Sequence, residues 1–343
     1  MNRPSAKVLP AGKLPVKLLD RFLKRYTNAD KRVVIGPSVG LDCAVIDFAP
    51  RSNGFLLLKT DPITFVAEDI GTYAVNINAN DIAVMGGVPR WFLATLLMPE
   101  GSATEKGAER IFSGLSRVCR GLGISFCGGH TEVTYGLDRP VLVGCMAGEV
   151  KKNRLVSSAG ARVGDDIILT KGIALEAASI IAREKKEELK GVFPAGLMER
   201  CRGFIKRPGI SIVKDAGTAL KSGRVHAMHD PTEGGLSMGL FELALASGVG
   251  MVVEKDKVIF IPESLKLLEY FGLDPMGAIA SGALLLTVHP DDTGKITRAL
   301  GKVGIKSGRI GTVTGKSRGV RIIEDGKTKT LKVYQRDEIT KIF

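Results

Sequence analysis

Apolar positions along the chain follow two rhythms, one near 3.6 residues and one of two residues or a continuous run. They mark helices and strands in turn. Leu18, Leu19, Phe22 and Leu23 share one face of a helix over 15–25. An apolar run over 55–59 predicts a buried strand that ends in Thr60-Asp61-Pro62. A helix over 70–85 is unusual in carrying Asn76, Asn78, Asn80 and Asp81 just before Gly86-Gly87. A strand over 92–98 follows. Ser102 and Glu105 then stand at capping-box spacing, ahead of the stripe Ala108, Ile111, Phe112, Leu115, Val118 and Leu122. A strand over 124–127 ends in Gly128-Gly129-His130-Thr131-Glu132, and another covers 141–147.

A polar connection from Lys151 to about Gly164 interrupts this order. The pattern restarts with a strand over 166–170 and helices around 174–189, 196–205 and 209–221. The segment 226–235 is dense in polar residues and glycine. A helix over 236–246, a strand over 283–288, a helix from 291 and short basic strands complete the chain. Helices and strands mix in both halves, so the class is α/β (α+β). A length of 343 residues is too long for one compact core and predicts two domains. The polar connection places them at 1–155 and 156–343.

Composition narrows the function classes. Hydrophobic residues at 44% and charged residues at 25% describe a globular chain, not a disordered or fibrous one. The longest uncharged apolar stretch, about 276–288, is too short to span a bilayer. The opening residues are too polar for a signal peptide. The net charge is +13, which raises the question of nucleic acid. The excess is spread evenly, with 20 Lys+Arg against 14 Asp+Glu in 1–155 and 29 against 22 in 156–343. A phosphate-tracking protein concentrates its charge on a stripe, so nucleic acid is not the expected partner. An anionic substrate such as ATP would still be attracted. Five cysteines without a CxxC spacing, at 43, 119, 127, 145 and 201, read as reduced thiols of a cytoplasmic protein.

Four acidic groups stand beside glycines or at strand ends: Asp42, Asp61, Asp81 and Glu132. Carboxylates converging from rigid strand ends would hold Mg²⁺, which takes hard oxygen ligands and bridges them to phosphates. Nearby glycines, Gly86, Gly128 and Gly129, would let backbone N–H groups approach those phosphates. Taken singly, each Asp is equally a turn residue bonding its own backbone. The asparagines of 70–85 weaken that helix, and either pack its end or turn a polar face into a site. In the second half Asp230-Pro231-Thr232-Glu233-Gly234-Gly235 precedes a helix whose N-terminus could face an anion. Plain capping is the alternative. His226 and His229 lack the partners of a zinc site. Gly311 to Ser317 is one residue short of a Walker A loop.

The order of these segments carries a resemblance. Gly40-x-Asp42-Cys43-Ala44-Val45 is followed by Thr60-Asp61 after a strand, then Asn80-Asp81-Ile82-Ala83-Val84-Met85-Gly86-Gly87-Val88-Pro89. Gly128-Gly129-x-Thr131 and Asp230-Pro231-Thr232-x-Gly234-Gly235-Leu236 come next. The chain resembles the aminoimidazole ribonucleotide synthetase (PurM-like) superfamily over about residues 33–290. That superfamily includes the purine enzyme, thiamine-monophosphate kinase, selenophosphate synthetase and the hydrogenase-maturation protein HypE. The resemblance is strongest to HypE, through Asp-Pro-Thr-x-Gly-Gly-Leu and Gly12-Lys13-Leu14-Pro15. It implies two α/β domains, with N-terminal domains pairing their strands across a homodimer in a barrel-like sheet. It also implies ATP and Mg²⁺ in the cleft. On this footing Asp42, Asp61 and Asp81 would be metal ligands. Asp61, Asp81 and Glu132 would serve catalysis. Lys59, Thr60, Asn80, Gly86, Gly128, Gly129, Asp230, Thr232 and Gly234 would bind the nucleotide. The reaction would be an ATP-driven dehydration or phosphorylation of a second substrate that no motif identifies, with a maturation protein as a possible partner. The alternatives are a small-molecule kinase like thiamine-monophosphate kinase and a non-catalytic nucleotide-binding subunit. Three departures bear on this. The last cysteine is Cys201, so HypE's C-terminal cysteine has no counterpart. Leu41 and His130 stand where the family often has acidic residues.

Overall fold

The computed structural model describes residues 13–27 and 30–343. Gly12, quoted above, lies outside them. Two sheets organise the chain. The first comprises β1 (Val33–Ile35), β2 (Ala44–Ile46), β3 (Gly54–Ile63), β4 (Val88–Pro99), β5 (Ser125–Thr134) and β6 (Val141–Lys151), in the order β1-β2-β3-β6-β4-β5. Only β4 and β5 run parallel, and the other pairs are antiparallel. The second comprises β7 (Asp166–Thr170), β8 (Val225–His229), β9 (Gly250–Glu254), β10 (Leu285–Val288), β11 (Ser307–Thr314), β12 (Val320–Glu324) and β13 (Lys327–Thr330), in the order β13-β12-β9-β11-β7-β10-β8. Helices α1 (Val16–Tyr26), α2 (Ile70–Val84) and α3 (Glu105–Leu122) accompany the first sheet. Helices α4 (Leu175–Glu184), α5 (Ala195–Gly203), α6 (Val213–Ser222), α7 (Gly235–Ser247), α8 (Pro262–Tyr270) and α9 (Pro290–Lys302) accompany the second. None of the described helices is long and apolar enough to cross a membrane.

The mixed α/β class with two sheets follows the sequence pattern. Several local expectations change. Helix α3 begins at the N-cap Thr104, whose hydroxyl accepts the Gly107 N–H at 3.1 Å, so Ser102 is not the cap. It ends at Gly123 with φ +68°, the left-handed stop that glycine supplies. Strand β5 continues through Gly128 and Gly129 to Thr134, because it pairs with β4 on both sides of a bulge at Cys127. Strand β3 likewise runs through Thr60-Asp61-Pro62, paired with β6 to Ile63. Pro62 is tolerated there because β2 pairs only as far as Leu58, which leaves the far end of β3 a free edge.

Helix α2 is the hinge of the architecture. Every residue of it but Ile77 is buried, because it lies between the first sheet, α3, and the α6 and β8 elements of the second half. Glycines on β6 allow that approach. A Cβ on Gly144 would lie 2.3 Å from Asn78 Nδ2, and one on Gly148 would lie 2.4 Å from Ile82 Cγ2. In the second sheet, Ile168 and Leu286 face the core shared with α2, while Ile167, Leu169 and Leu285 face a separate core beneath α7. Strands covered on both faces read as continuous apolar runs, which explains why β7 and β10 stood out in the sequence.

Candidate functional site

A cleft of about 1230 Å³ opens between the two halves. Alternation along β3 puts Lys59 and Asp61 on its wall and turns Thr60 away. Thr60 instead donates its hydroxyl to the Gly144 carbonyl at 2.8 Å. From α2, Asp81 reaches the cleft. From the loop before β2 comes Asp42, and from the end of β8 come His229 and Asp230. Lys59 Nζ lies 3.3 Å from Asp61 Oδ2 and 3.6 Å from Asp81 Oδ1. Burial alone would lower the Lys59 pKa, but Asp81 and Asp61 outweigh it and hold the ammonium well above its usual range. Asp81 is 5% exposed. Its burial outweighs Lys59 and lifts its carboxyl well above the usual carboxylate range.

Asp42 and Asp230 form the opposite side. Asp42 accepts from Ser158 and from His229 Nδ1, the latter at 3.0 Å. The other ring nitrogen of His229 faces Glu242 Oε2 at 3.1 Å. Both ring nitrogens thus meet carboxylates. Although burial opposes it, Asp42 and Glu242 hold the imidazolium up to about 10. The same pairing depresses Asp42 despite its burial. Burial, then Asp42, pushes Asp230 up to about 7. One potential ligand atom from each of Asp42, His229 and Asp230 lies within 4.8 Å of the others. Because His229 donates on both sides, the oxygens of Asp42 and Asp230 are the donors for an ion. Asp230 Oδ2 is buried without a hydrogen-bond partner, an acceptor a cation would satisfy. This all-oxygen set suits Mg²⁺.

The structure brings Asp42, Lys59, Asp61, Asp81, Asp230, Thr232 and Gly234 into one cleft. It does not bring the others. Asn80 is a clamp: its Nδ2 donates to the Ile210 carbonyl and its Oδ1 accepts the Ile212 N–H, both at 2.9 Å. Asn76 and Asn78 likewise bond backbone of their own helix, and Asn78 also accepts the Asp61 N–H. The asparagines of α2 therefore satisfy backbone and do not face the site. Asn80→Ala would orphan two buried backbone groups, so a destabilisation of about 2–4 kcal/mol is expected, measurable by urea unfolding. Gly86, with φ +74°, packs against the 154–156 segment, where a Cβ would meet the Arg154 carbonyl at 2.5 Å. Gly128, Gly129 and Glu132 lie on exposed β5, at the sheet edge separated from β3 by β6 and β4. Glu132 there pairs with His130 at 3.0 Å. The Gly234 N–H is already taken by Asp337 Oδ2 at 2.7 Å, so the protein's own carboxylate occupies the anion position before α7.

Sequence reasoning missed several groups. Lys13 donates to Thr232 Oγ1 at 3.2 Å and lies 4.0 Å from Glu242. Its only signal was its place in a quoted motif. His229 was weighed for zinc with His226, but His226 faces Asp165 at 2.8 Å instead. The informative feature was the adjacency of His229 to Asp230. Glu176 and Ser281 line the cleft with no local signal at all.

Comparisons with known proteins give the family and the fold. The family model described as AIR synthase related protein, N-terminal domain, matches residues 40–150, and the corresponding C-terminal domain matches 162–324. The carbamoyl dehydratase HypE of Cupriavidus necator is 27% identical over 289 residues, covering 82% of this chain and 76% of that protein. A selenide, water dikinase of Aeromonas hydrophila is 29% identical over 245 residues, covering 69% of this chain and 66% of that protein. Among solved structures, HypE in complex with ATP aligns with a TM-score of 0.70 at 22% identity, covering 94% of this chain and 92% of that one. ThiL complexed with AMPPCP and TMP aligns with a TM-score of 0.71 at 21% identity, covering 93% and 94%. A chain of the HypE–HypF complex gives 0.74 at 21%, covering 93% and 100%. These three likenesses establish the fold.

Proposed function

Because the chain belongs to the AIR synthase related family, we propose that it is an ATP- and Mg²⁺-dependent enzyme of the HypE-like kind. It would activate an oxygen of a second substrate by phosphoryl transfer. The observation that carries this is the convergence, from both halves, of Asp42, Asp61, Asp81 and Asp230 on one cleft beside Lys59 and His229, with an orphaned oxygen on Asp230. Four carboxylates facing one another are unfavourable unless a cation joins them. Bound Mg²⁺ would supply charge neutralisation for a triphosphate. Asp42, Asp81 and Asp230 would hold it. Asp61 would keep Lys59 directed at the phosphates, and Lys13, from the first half, would close the cleft against Thr232 of the second. Catalysis of this class rests on positioning and electrostatics, which fits side chains fixed on a buried helix and strand ends. Calorimetric titration with a non-hydrolysable ATP analogue tests the reading. Binding is expected with Mg²⁺ and at least tenfold weaker without it. No binding in either condition would favour a non-catalytic subunit.

A free small-molecule acceptor is favoured over a carrier cysteine by one observation: among the described residues, no cysteine lines the cleft. We propose a homodimer on the character of β5. It is a ten-residue edge strand, exposed along most of its length, that carries the exposed Val133 and lies beside the exposed Tyr135, Trp91 and Leu93. Such an edge invites pairing with another strand, and a second copy would cover it. The glycine pair Gly128-Gly129 and Glu132 would then face the partner. Light scattering should give twice the 36.6 kDa chain mass. A HypF-like maturation protein is a candidate partner by the same likeness, and the five free cysteines support a reducing, cytoplasmic setting.

A further inference from the structure

One polar pair in the cleft stands apart from the metal-binding carboxylates. Glu176 sits in the first turn of α4 and is 2% exposed. Its Oε2 accepts the Ser281 N–H at 3.2 Å, and among the described residues its Oε1 has no partner. The Ser281 hydroxyl beside it is fully buried and has no well-formed hydrogen bond. Both residues line the cleft, with Ile180 one turn further along α4 and Ile279 two residues before Ser281. The Ala177 N–H to Ile279 carbonyl bond at 3.2 Å locks the two segments in register. The charges acting most on Glu176 are Asp337 and Glu233, both acidic.

An apolar recess with a few convergent polar groups is the usual form of a small-molecule subsite. Here one oxygen lacks a donor and one hydroxyl lacks an acceptor, while the neighbouring charges are negative. We propose that Glu176 and Ser281 form the subsite for the second substrate, holding an uncharged head group that donates to Glu176 Oε1 and accepts from Ser281 Oγ. Anionic head groups, phosphate monoesters and carboxylates among them, are disfavoured there by the acidic Asp337 and Glu233. The inference rests on the reading of the cleft as an ATP-dependent transfer site and names the class of acceptor it takes. Burial, which pushes the Glu176 carboxyl up to about 7, supports the assignment. A group balanced between neutral and ionised forms near neutrality does not require a cationic partner.

The test uses the full-length, nucleotide-free protein and two nearly isosteric probes that differ in charge, 2,2,2-trifluoroacetamide and trifluoroacetate, followed by ¹⁹F line broadening. The amide is expected to titrate at least tenfold more tightly than the carboxylate. Ser281→Ala and Glu176→Ala should each weaken the amide at least fivefold. Circular dichroism melts establish that each variant is folded, and Ser281→Ala removes only one buried oxygen. Equal or tighter binding of trifluoroacetate, no broadening by either probe, or an amide titration unchanged in both variants would overturn the subsite. Failure of the wild-type protein to bind the Mg²⁺–ATP analogue would overturn the reading of the cleft instead. It would not alter the outcome for the amide.

Discussion

Asp81→Asn is expected to lower Mg²⁺-dependent ATP turnover by roughly a thousandfold while leaving the protein folded. The two halves of this expectation come from different links. Asp81 is fixed on the most deeply buried helix of the chain, so its oxygens cannot relocate to rescue a lost metal bond. Asn keeps the shape and removes the negative charge that would hold a metal ion beside a triphosphate. The fold tolerates the change because Lys59 retains Asp61 at 3.3 Å. No buried cation is then left unpaired, which is the situation that makes breaking a buried pair costly. Burial already favours the neutral form of Asp81, and a neutral amide carries the same solvation cost as that form. Turnover by a coupled ADP-release assay and the melting midpoint should therefore separate cleanly. Full activity in the Asn variant would remove Asp81 from the site. A large fall in the melting midpoint would show that its charge serves the fold.

The sequence legibly marked the elements that carry their own periodicity. Helix α3 has a wide apolar stripe, and β7 and β10 are continuous apolar runs because both faces are covered. It mismarked places where a neighbour overrides local chemistry. Gly128-Gly129 and Asp61-Pro62 look like chain breaks, yet pairing with β4 and β6 carries both strands through them. The carboxylates and Lys59 were legible as chemistry because they stand at strand ends and in ordered motifs. The asparagines of α2 were not, since a polar side chain in a helix reads the same whether it meets a ligand or a distant backbone. Only the fold shows that Asn80 reaches Ile210 and Ile212, some 130 positions away. Glu176 illustrates the limit. One acidic residue in the first turn of a helix is ordinary as sequence. Its character arises from Ser281, more than a hundred positions later.

Glu176→Gln is expected to stabilise the ligand-free protein at pH 8 by about 3 kcal/mol, with the gain vanishing below about pH 4.5. Burial pushes the Glu176 carboxyl from 4.5 up to about 7, against the opposing hydrogen bond from the Ser281 N–H. The folded protein therefore binds this proton more tightly than the unfolded chain does. Between pH 4.5 and 7 the folded state carries more protons, so stability falls as pH rises through that window and is level above it. A tenfold difference in proton affinity between the folded and unfolded chain is worth about 1.4 kcal/mol, which sets the size of the loss. Gln cannot ionise and can still accept the Ser281 N–H through its carbonyl oxygen, so it lacks this contribution, while Asp230, also raised to about 7, acts equally in both proteins. Urea unfolding midpoints of both proteins at pH 5 and pH 8 decide the matter. The difference between them should grow with pH. An equal difference at the two pH values would mean that the carboxylate is solvated in the folded protein, and an amide less stable than wild type at pH 8 would mean that the charge is compensated. The first result would put water beside Glu176 and the second a cation, and a cation there would leave a recess able to accept an anionic acceptor.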